Sequence, residues 1–274
     1  MTDQAERYDR MAAGYERWWA PVLAPSAVAL LERIDPVARA AGDVLDVGVG
    51  TGNLAIPAIQ RWPSMRVTGI DASGEMVQAA ELLADERLDG NGRARLSTHV
   101  AFAAELPFAD ASFDLAISSF VLQLVPSRAR ALREIRRVLR PGGMLAYVTW
   151  LADRSAFAPD RVFDTLLDEF GFEEDSGDSR CGDVPSAERG AGELRAAGFR
   201  DVSAESAMLE FAFTVDGYLG FMTEFDEQSL FEEMRRDERR RFLARLRERL
   251  MALDPSELVF RAPILYVQGR RSDG

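Results

Sequence analysis

VLDVGVGTG, residues Val44 to Gly52, is the stretch on which the fold turns. An apolar run reaches an acid, Asp46, and then meets glycines at 48, 50 and 52. NLAIPAIQRW follows at once with its apolar residues at helical spacing. Glycine belongs where a backbone bends tightly and approaches a ligand that any Cβ would block. The helix start behind it aims free N–H groups at the same point. Nineteen residues past Gly52, a second strand pattern, Val67 to Ile70, ends in Asp71. A carboxylate at a strand end can accept hydrogen bonds from both hydroxyls of a ribose. Strand, bend, helix and second strand together predict a Rossmann-like site for an adenosine-containing ligand.

The spacing discriminates among such ligands. Dinucleotide sites usually read G-x-G-x-x-G, with the pyrophosphate on the helix N-terminus. Here the glycines read G-x-G-x-G, and Asp46 stands two residues ahead of the first. A carboxylate there repels a pyrophosphate and suits an ammonium group. S-adenosylmethionine, with an adenosine end, a sulfonium and an amino-acid tail, fits both acids. Each acid also has a structural reading: Asp46 can cap its own turn and Asp71 the helix that follows.

From Tyr8 to Trp150 the chain resembles the class I S-adenosylmethionine-dependent methyltransferases of the small-molecule, methyltransferase type 11 group. VLDVGVGTGNLAI resembles the first motif of that family, and VTGIDASGEMVQAA, from Val67, the second. ELPFADASFDLAISSFVLQLV, from Glu105, resembles the third and fourth, and LREIRRVLRPGGMLAYVTW, from Leu132, the helix, turn and strand after them. The resemblance implies S-adenosyl-L-methionine as cofactor, a small-molecule methyl acceptor, and Gly48, Gly50, Gly52, Asp46, Asp71 and Ala72 around the cofactor. It puts Met76 on the adenine, Ala103, Ala104 and Glu105 beside it, and Ser118 and Ser119 at the end of the fourth strand by the pocket.

Two positions depart from that pattern. An acid that commonly binds the adenine amino group is replaced by Phe102, which leaves stacking and backbone groups near Ala103 and Ala104 to hold the base, with Glu105 as a solvated alternative. A usual histidine pair reads Leu122-Gln123-Leu124, and Gln123 cannot act as a base near neutral pH. The single histidine, His99, is expected at the start of the third strand, away from the pocket. Tyr15 and Gln123 are the candidate catalytic residues. Without an evident base, the acceptor is expected to be an activated carbon, an amine or an acid-like oxygen, apolar or aromatic in part. Tyr15, Trp18 and Trp19 are lid candidates, and Phe211, Phe213, Tyr218, Phe221 and Phe225 candidates for an acceptor pocket.

Composition narrows the class. With 274 residues, 47% hydrophobic and 28% charged, the chain can bury a sizeable core. A net charge of −12 argues against a nucleic-acid substrate. The arginines of 235–249 are interleaved with acids and predict a solvated amphipathic helix. One cysteine, Cys181, cannot form an intrachain disulfide or a cysteine-rich metal site, and no metal is expected. No apolar run approaches the roughly 20 residues of a membrane span, and the polar start MTDQAERYDR lacks a signal-peptide core, so a cytoplasmic protein is expected. A noncatalytic cofactor-binding scaffold, an RNA methyltransferase and a nicotinamide-dependent oxidoreductase stay open as alternatives.

Alternating strand and helix patterns predict an α/β fold: a seven-stranded, mostly parallel sheet with helices on both faces, an antiparallel last strand and a helical cap. Strands are expected at 43–47, 66–70, 97–102, 113–118 and 143–149, then within 202–213 and 262–271. Helices are expected at 5–20, 26–40, 53–61, 73–83, 127–139, 156–170 and 186–197. Pro21 and Pro25 should break the first pair, and 88–96 should be a loop. One domain is expected in three parts: a lid at 1–40, a cofactor core at 41–150, and 151–274 with an insertion at about 215–252.

Overall fold

A computed structural model of the chain describes residues 3–152, 157–172 and 182–272. Its seven strands are β1 (Asp43–Val47), β2 (Arg66–Asp71), β3 (Leu96–Val100), β4 (Phe113–Ser119), β5 (Leu139–Trp150), β6 (Phe199–Ala212) and β7 (Val259–Arg271). They form one sheet in the order β3-β2-β1-β4-β5-β7-β6. Strands β3 to β5 pair in parallel, and β7 runs antiparallel to both β5 and β6. The order reverses between β1 and β4, and there a parallel sheet opens a crevice at its strand C-termini.

The helices are α1 (Asp3–Gly14), α2 (Ala20–Ala38), α3 (Ala55–Arg61), α4 (Gly74–Arg87), the short α5 (Gly90–Arg93), α6 (Arg128–Val138), α7 (Ala158–Phe170), α8 (Ala187–Ala196), α9 (Val215–Phe221), α10 (Gln228–Glu233) and α11 (Arg236–Met251). Both sheet faces are covered, because β1 and β4 are buried on both sides and read as continuous apolar runs. One core packs Leu30, Ile34 and Ile59 from α2 and α3 against Val44, Leu115 and Ala146. The other packs Leu132, Ile135 and Leu194 from α6 and α8 against Leu45, Ala116 and Tyr147.

Several boundaries differ from the sequence reading. Pro21 and Pro25 do not break a helix: α1 passes through a π-helical turn at Tyr15–Trp19 directly into α2. Pro21 falls in the first turn of α2, where its missing N–H is least costly. Within 88–96, Asp89 Oδ1 accepts from the Gly92 N–H at 2.6 Å and starts the one-turn α5. β3 stops at Val100, so residues 101–104 form a connecting segment. β5 starts at Leu139, because Leu139 pairs with Phe113 across a register shift and Gly142 takes a φ of 75°. Cys181 and the polar stretch 173–180 lie outside the described residues.

The insertion between β6 and β7 is built from α9, a second π-helical turn at Met222–Asp226, α10 and α11. Its apolar residues Phe231, Phe242, Leu246 and Leu250 are buried. The π-turn meets the N-terminal segment, where Glu224 Oε2 accepts from Trp18 Nε1 at 2.7 Å and pairs with Arg17 at 3.3 Å. A Cβ on Gly14 would lie 1.8 Å from the Glu224 carbonyl oxygen, a backbone atom that cannot swing aside. Gly14→Ala should therefore cost about 1–3 kcal/mol through overpacking. Denaturant unfolding should show a lowered midpoint, and an unchanged midpoint would mean this contact is not part of the fold in solution.

Candidate functional site

A cavity of about 610 Å³ lies over the C-terminal ends of the central strands. Asp46 and Asp71 reach it from β1 and β2, with Gly48 and Gly50 between them. The bend needs glycine. Gly48 has a φ of 77°, and a Cβ there would fall 2.2 Å from a Val121 methyl. The Gly48 N–H donates to the Ile70 carbonyl at 2.8 Å and ties the bend to β2. Gly50, with a φ of 51°, faces the cavity near the Tyr15 ring. Gly52 does not line it, since a Cβ there would meet Ile56 at 2.8 Å, so this glycine serves the packing of α3.

The two acids are held in opposite ways. Asp71 Oδ2 accepts from the Gly50 N–H at 2.9 Å, and Oδ1 from the Ser73 N–H at 3.0 Å. Burial raises its pKa, and the N–H groups of Ser73, Gly50 and Ala72 work against that rise. Each oxygen keeps a second lone pair for a ligand. Asp46 is 1% exposed and neither of its oxygens has a hydrogen-bond partner. Burial first, and the Asp71 charge second, push its carboxyl well above the ordinary range. The Ala55 N–H at the start of α3 opposes this without reaching hydrogen-bond geometry. A buried acid with no partner is costly to ionise, so a cation in the cavity is what this carboxyl lacks.

Helix α1 sets the other border. Asp9 Oδ1 accepts from Ser73 Oγ at 2.5 Å and from the Glu75 N–H at 3.2 Å, while Ser73 Oγ accepts from the Met76 N–H at 3.1 Å. The start of α4 is thereby capped twice, and Met76, 2% exposed, is fixed on the cavity wall beside Ala72. Ala103, Ala104 and Glu105 line the same end.

Other candidates move. Ser118 is buried outside the cavity, and its hydroxyl donates to the Val47 carbonyl at 2.7 Å, just past the last rung between β1 and β4. Its neighbour Ser119 lines the cavity instead. His99 sits near the C-terminal end of β3, not its start, but is exposed against Phe108 and outside the cavity. Gln123 lines the cavity, and its Oε1 accepts from Thr149 Oγ1 at 3.0 Å, which leaves the amide N–H groups to face a ligand. Tyr15 is unsuited to the role of base: burial, with Tyr8 and Asp71 behind it, pushes its hydroxyl far above the ordinary range. Tyr8, a lining residue the sequence reading passed over, is pushed up to about 12 by burial. Both phenols stay protonated at neutral pH and can only donate or accept hydrogen bonds.

An aromatic wall fills the end away from Asp71. Trp19 lies 5.2 Å from Phe221, 6.1 Å from Phe225 and 6.2 Å from Trp150, and Phe120 lies 4.3 Å from Trp150. Phe213 joins this wall, whereas Phe211 and Tyr218 do not line it. Tyr218 is fully buried and donates to Asp160 Oδ1 at 2.8 Å. Trp18 points away and packs on Gly220. Phe120 holds a φ of 54°, a conformation that costs a non-glycine residue about 1–3 kcal/mol. Its N–H donation to the Val148 carbonyl at 2.9 Å keeps it there. Nothing local in SSFVLQ marks that strain. Among the described residues, no group of three or more His, Cys, Asp or Glu could hold a metal ion, and no helix is long and apolar enough to cross a membrane.

Residues 45–147 match the methyltransferase domain family. The chain is 38% identical over 115 residues to the ubiquinone/menaquinone biosynthesis C-methyltransferase UbiE of Geotalea daltonii, covering 41% of this chain and 47% of that one. It is 34% identical over 139 residues to the nocamycin O-methyltransferase of Saccharothrix syringae, covering 50% and 48%. The chain thus spans about half the length of these curated relatives. Among solved structures, a phosphoethanolamine N-methyltransferase 2 of Haemonchus contortus, in complex with S-adenosyl-L-methionine, superimposes with a TM-score of 0.60 at 17% identity, over 99% of this chain and 60% of the other. At that identity the likeness speaks for the fold alone.

The raised Asp46 pKa has a signed consequence. The folded chain holds a proton that the unfolded chain has lost, so stability falls as pH rises through that window. Asp46→Asn removes the effect. Its stability relative to the wild type should grow as pH rises above about 4, the ordinary aspartate pKa. Chemical denaturation across that range checks this, and identical pH profiles for the two chains would contradict it.

Proposed function

We propose that the chain is a class I S-adenosylmethionine-dependent methyltransferase, a reading supported by the match of residues 45–147 to the methyltransferase domain family, that its cavity binds S-adenosyl-L-methionine, and that it transfers the methyl group to a small-molecule acceptor. The observation that carries this reading is Asp46, a buried acid on the cavity wall without a partner. A cofactor ammonium supplies the missing cation, and the free lone pairs of Asp71 suit the ribose hydroxyls. Met76, Ala103 and Ala104 give the nucleobase an apolar berth. When bound, the cofactor supplies an electrophilic methyl group on a sulfonium.

The chain's own residues then have little proton chemistry to perform. Tyr8 and Tyr15 keep their protons, Gln123 is neutral, and His99 lies outside the cavity. Trp19, Phe120, Trp150, Phe221 and Phe225 exclude water and offer flat apolar surfaces. That wall favours an acceptor that is apolar or aromatic in part and brings its own electron-rich carbon, nitrogen or acid-like oxygen. Holding such a nucleophile in line can supply roughly 7–11 kcal/mol of the barrier.

Calorimetry with S-adenosylhomocysteine tests the binding half. The wild type should bind it, and Asp46→Asn should bind it about 10- to 100-fold more weakly, the range of a charge-assisted hydrogen bond. No binding to folded wild type would end the proposal. Release of labelled methyl from S-adenosyl-L-methionine to any acceptor would exclude a purely binding role.

A further inference from the structure

Beyond Asp71 the cavity ends on Met76 of α4 and on residues 101–104, Ala-Phe-Ala-Ala. The segment folds back through a bridge between Phe102 and Glu105, and the Phe102 carbonyl accepts from the Glu105 N–H at 3.0 Å. All five side chains are apolar. Two acids line the cavity here, Asp71 and Glu105. Asp71 already holds two backbone N–H groups and faces the ribose position. Glu105 has a side chain 84% exposed and paired with Arg130 at 3.5 Å. Phe102, 43% exposed, occupies the outer wall with a ring and no acceptor.

A site tells an amino group from an oxo group by presenting a fixed hydrogen-bonding partner to it, such as a carboxylate acceptor for the amino group. Sites built around such a hydrogen bond reject the analogue strongly, because a buried polar group is left unpaired. Among the described residues, Met76 and the segment 101–104 present no side-chain acceptor that could be left unpaired. A 6-oxo purine offers an acceptor at C6 and a donor at N1 where adenine offers the reverse, and the Phe102 carbonyl of this segment is already taken by the Glu105 N–H. Flat apolar contact from Met76 and Phe102 is indifferent to the substituent.

Resting on the cofactor reading above, we propose that this site recognises a purine by shape and apolar contact without reading its 6-substituent, and that Phe102 determines this tolerance. A cofactor carrying hypoxanthine in place of adenine then serves almost as well as the natural one. Selectivity for the nucleoside lies in the ribose and the amino-acid tail, held by Asp71 and Asp46.

The test titrates the full chain with S-adenosylhomocysteine and with S-inosylhomocysteine. The two dissociation constants should agree within about threefold, well under the tenfold that 1.4 kcal/mol represents. Phe102→Asp, at a part-exposed position that tolerates a polar side chain, should separate them by about 10- to 100-fold in favour of adenine, the range of a hydrogen bond to a charged group. Discrimination above about tenfold in the wild type would overturn the inference. So would a selective loss of the adenosyl compound in Glu105→Gln, which would show that Glu105 reads the amino group. If only the adenosyl compound binds, this inference alone fails. If neither binds, the cofactor reading fails and this inference with it.

Discussion

An acid that the fold buries and leaves without a partner is the constraint around which this molecule is arranged. Asp46 stands at the end of a strand enclosed on both faces, where ionisation costs several kcal/mol unless a cation compensates it. A chain selected for stability alone would put a small apolar residue there. Local rules broken without compensation within the chain mark functional sites. Asp71, half-buried and satisfied by backbone N–H groups, shows how readily the same bend can accommodate a carboxylate when it supplies donors. The contrast between the two acids, on neighbouring strands, is that the chain supplies donors to Asp71 and none to Asp46.

The surroundings follow from that need. The glycine bend brings bare backbone past both acids, and α1 reaches over to cap α4 through Asp9 and Ser73, which fixes Met76. Two π-helical turns, one on each side of the cavity, meet at Trp18 and Glu224. Such turns insert an extra residue into a helix and cluster at functional sites, where they re-aim side chains. Here the first sends Trp18 to the insertion and Trp19 into the cavity. Apolar closure at that end raises the strength of every charge interaction inside, Asp46 above all.

Much of this was legible in the sequence where it depends on neighbours along the chain. The strand, bend and helix from Val44 to Arg61 is a local unit, so its glycines and acids could be read directly. The sheet with its antiparallel β7 and the insertion followed from alternation and from the family resemblance. What was not legible depends on register or on distant partners. Ser118 and Ser119 differ only in which face of β4 they take, and the end of the β1–β4 ladder, where a free Val47 carbonyl claims Ser118, is invisible in sequence. The prolines at 21 and 25 look like breaks because the cost of a proline is local, whereas Pro21 falls in the first turn of α2 and Pro25 is carried inside the helix. The aromatic wall joins residues about two hundred positions apart, and the spacing of Phe213, Tyr218, Phe221 and Phe225 alone could not separate those facing the cavity from those packed behind it.

The central claim is that Asp46 exchanges a proton for a cation when the cavity fills. Calorimetry of S-adenosylhomocysteine binding in buffers of different ionisation enthalpy measures that exchange directly. At a pH between the ordinary aspartate value and the raised one, the wild type should release protons on binding, and Asp46→Asn should lose that release while retaining weaker binding. Equal proton exchange in the two chains, at equal affinity, would contradict the account.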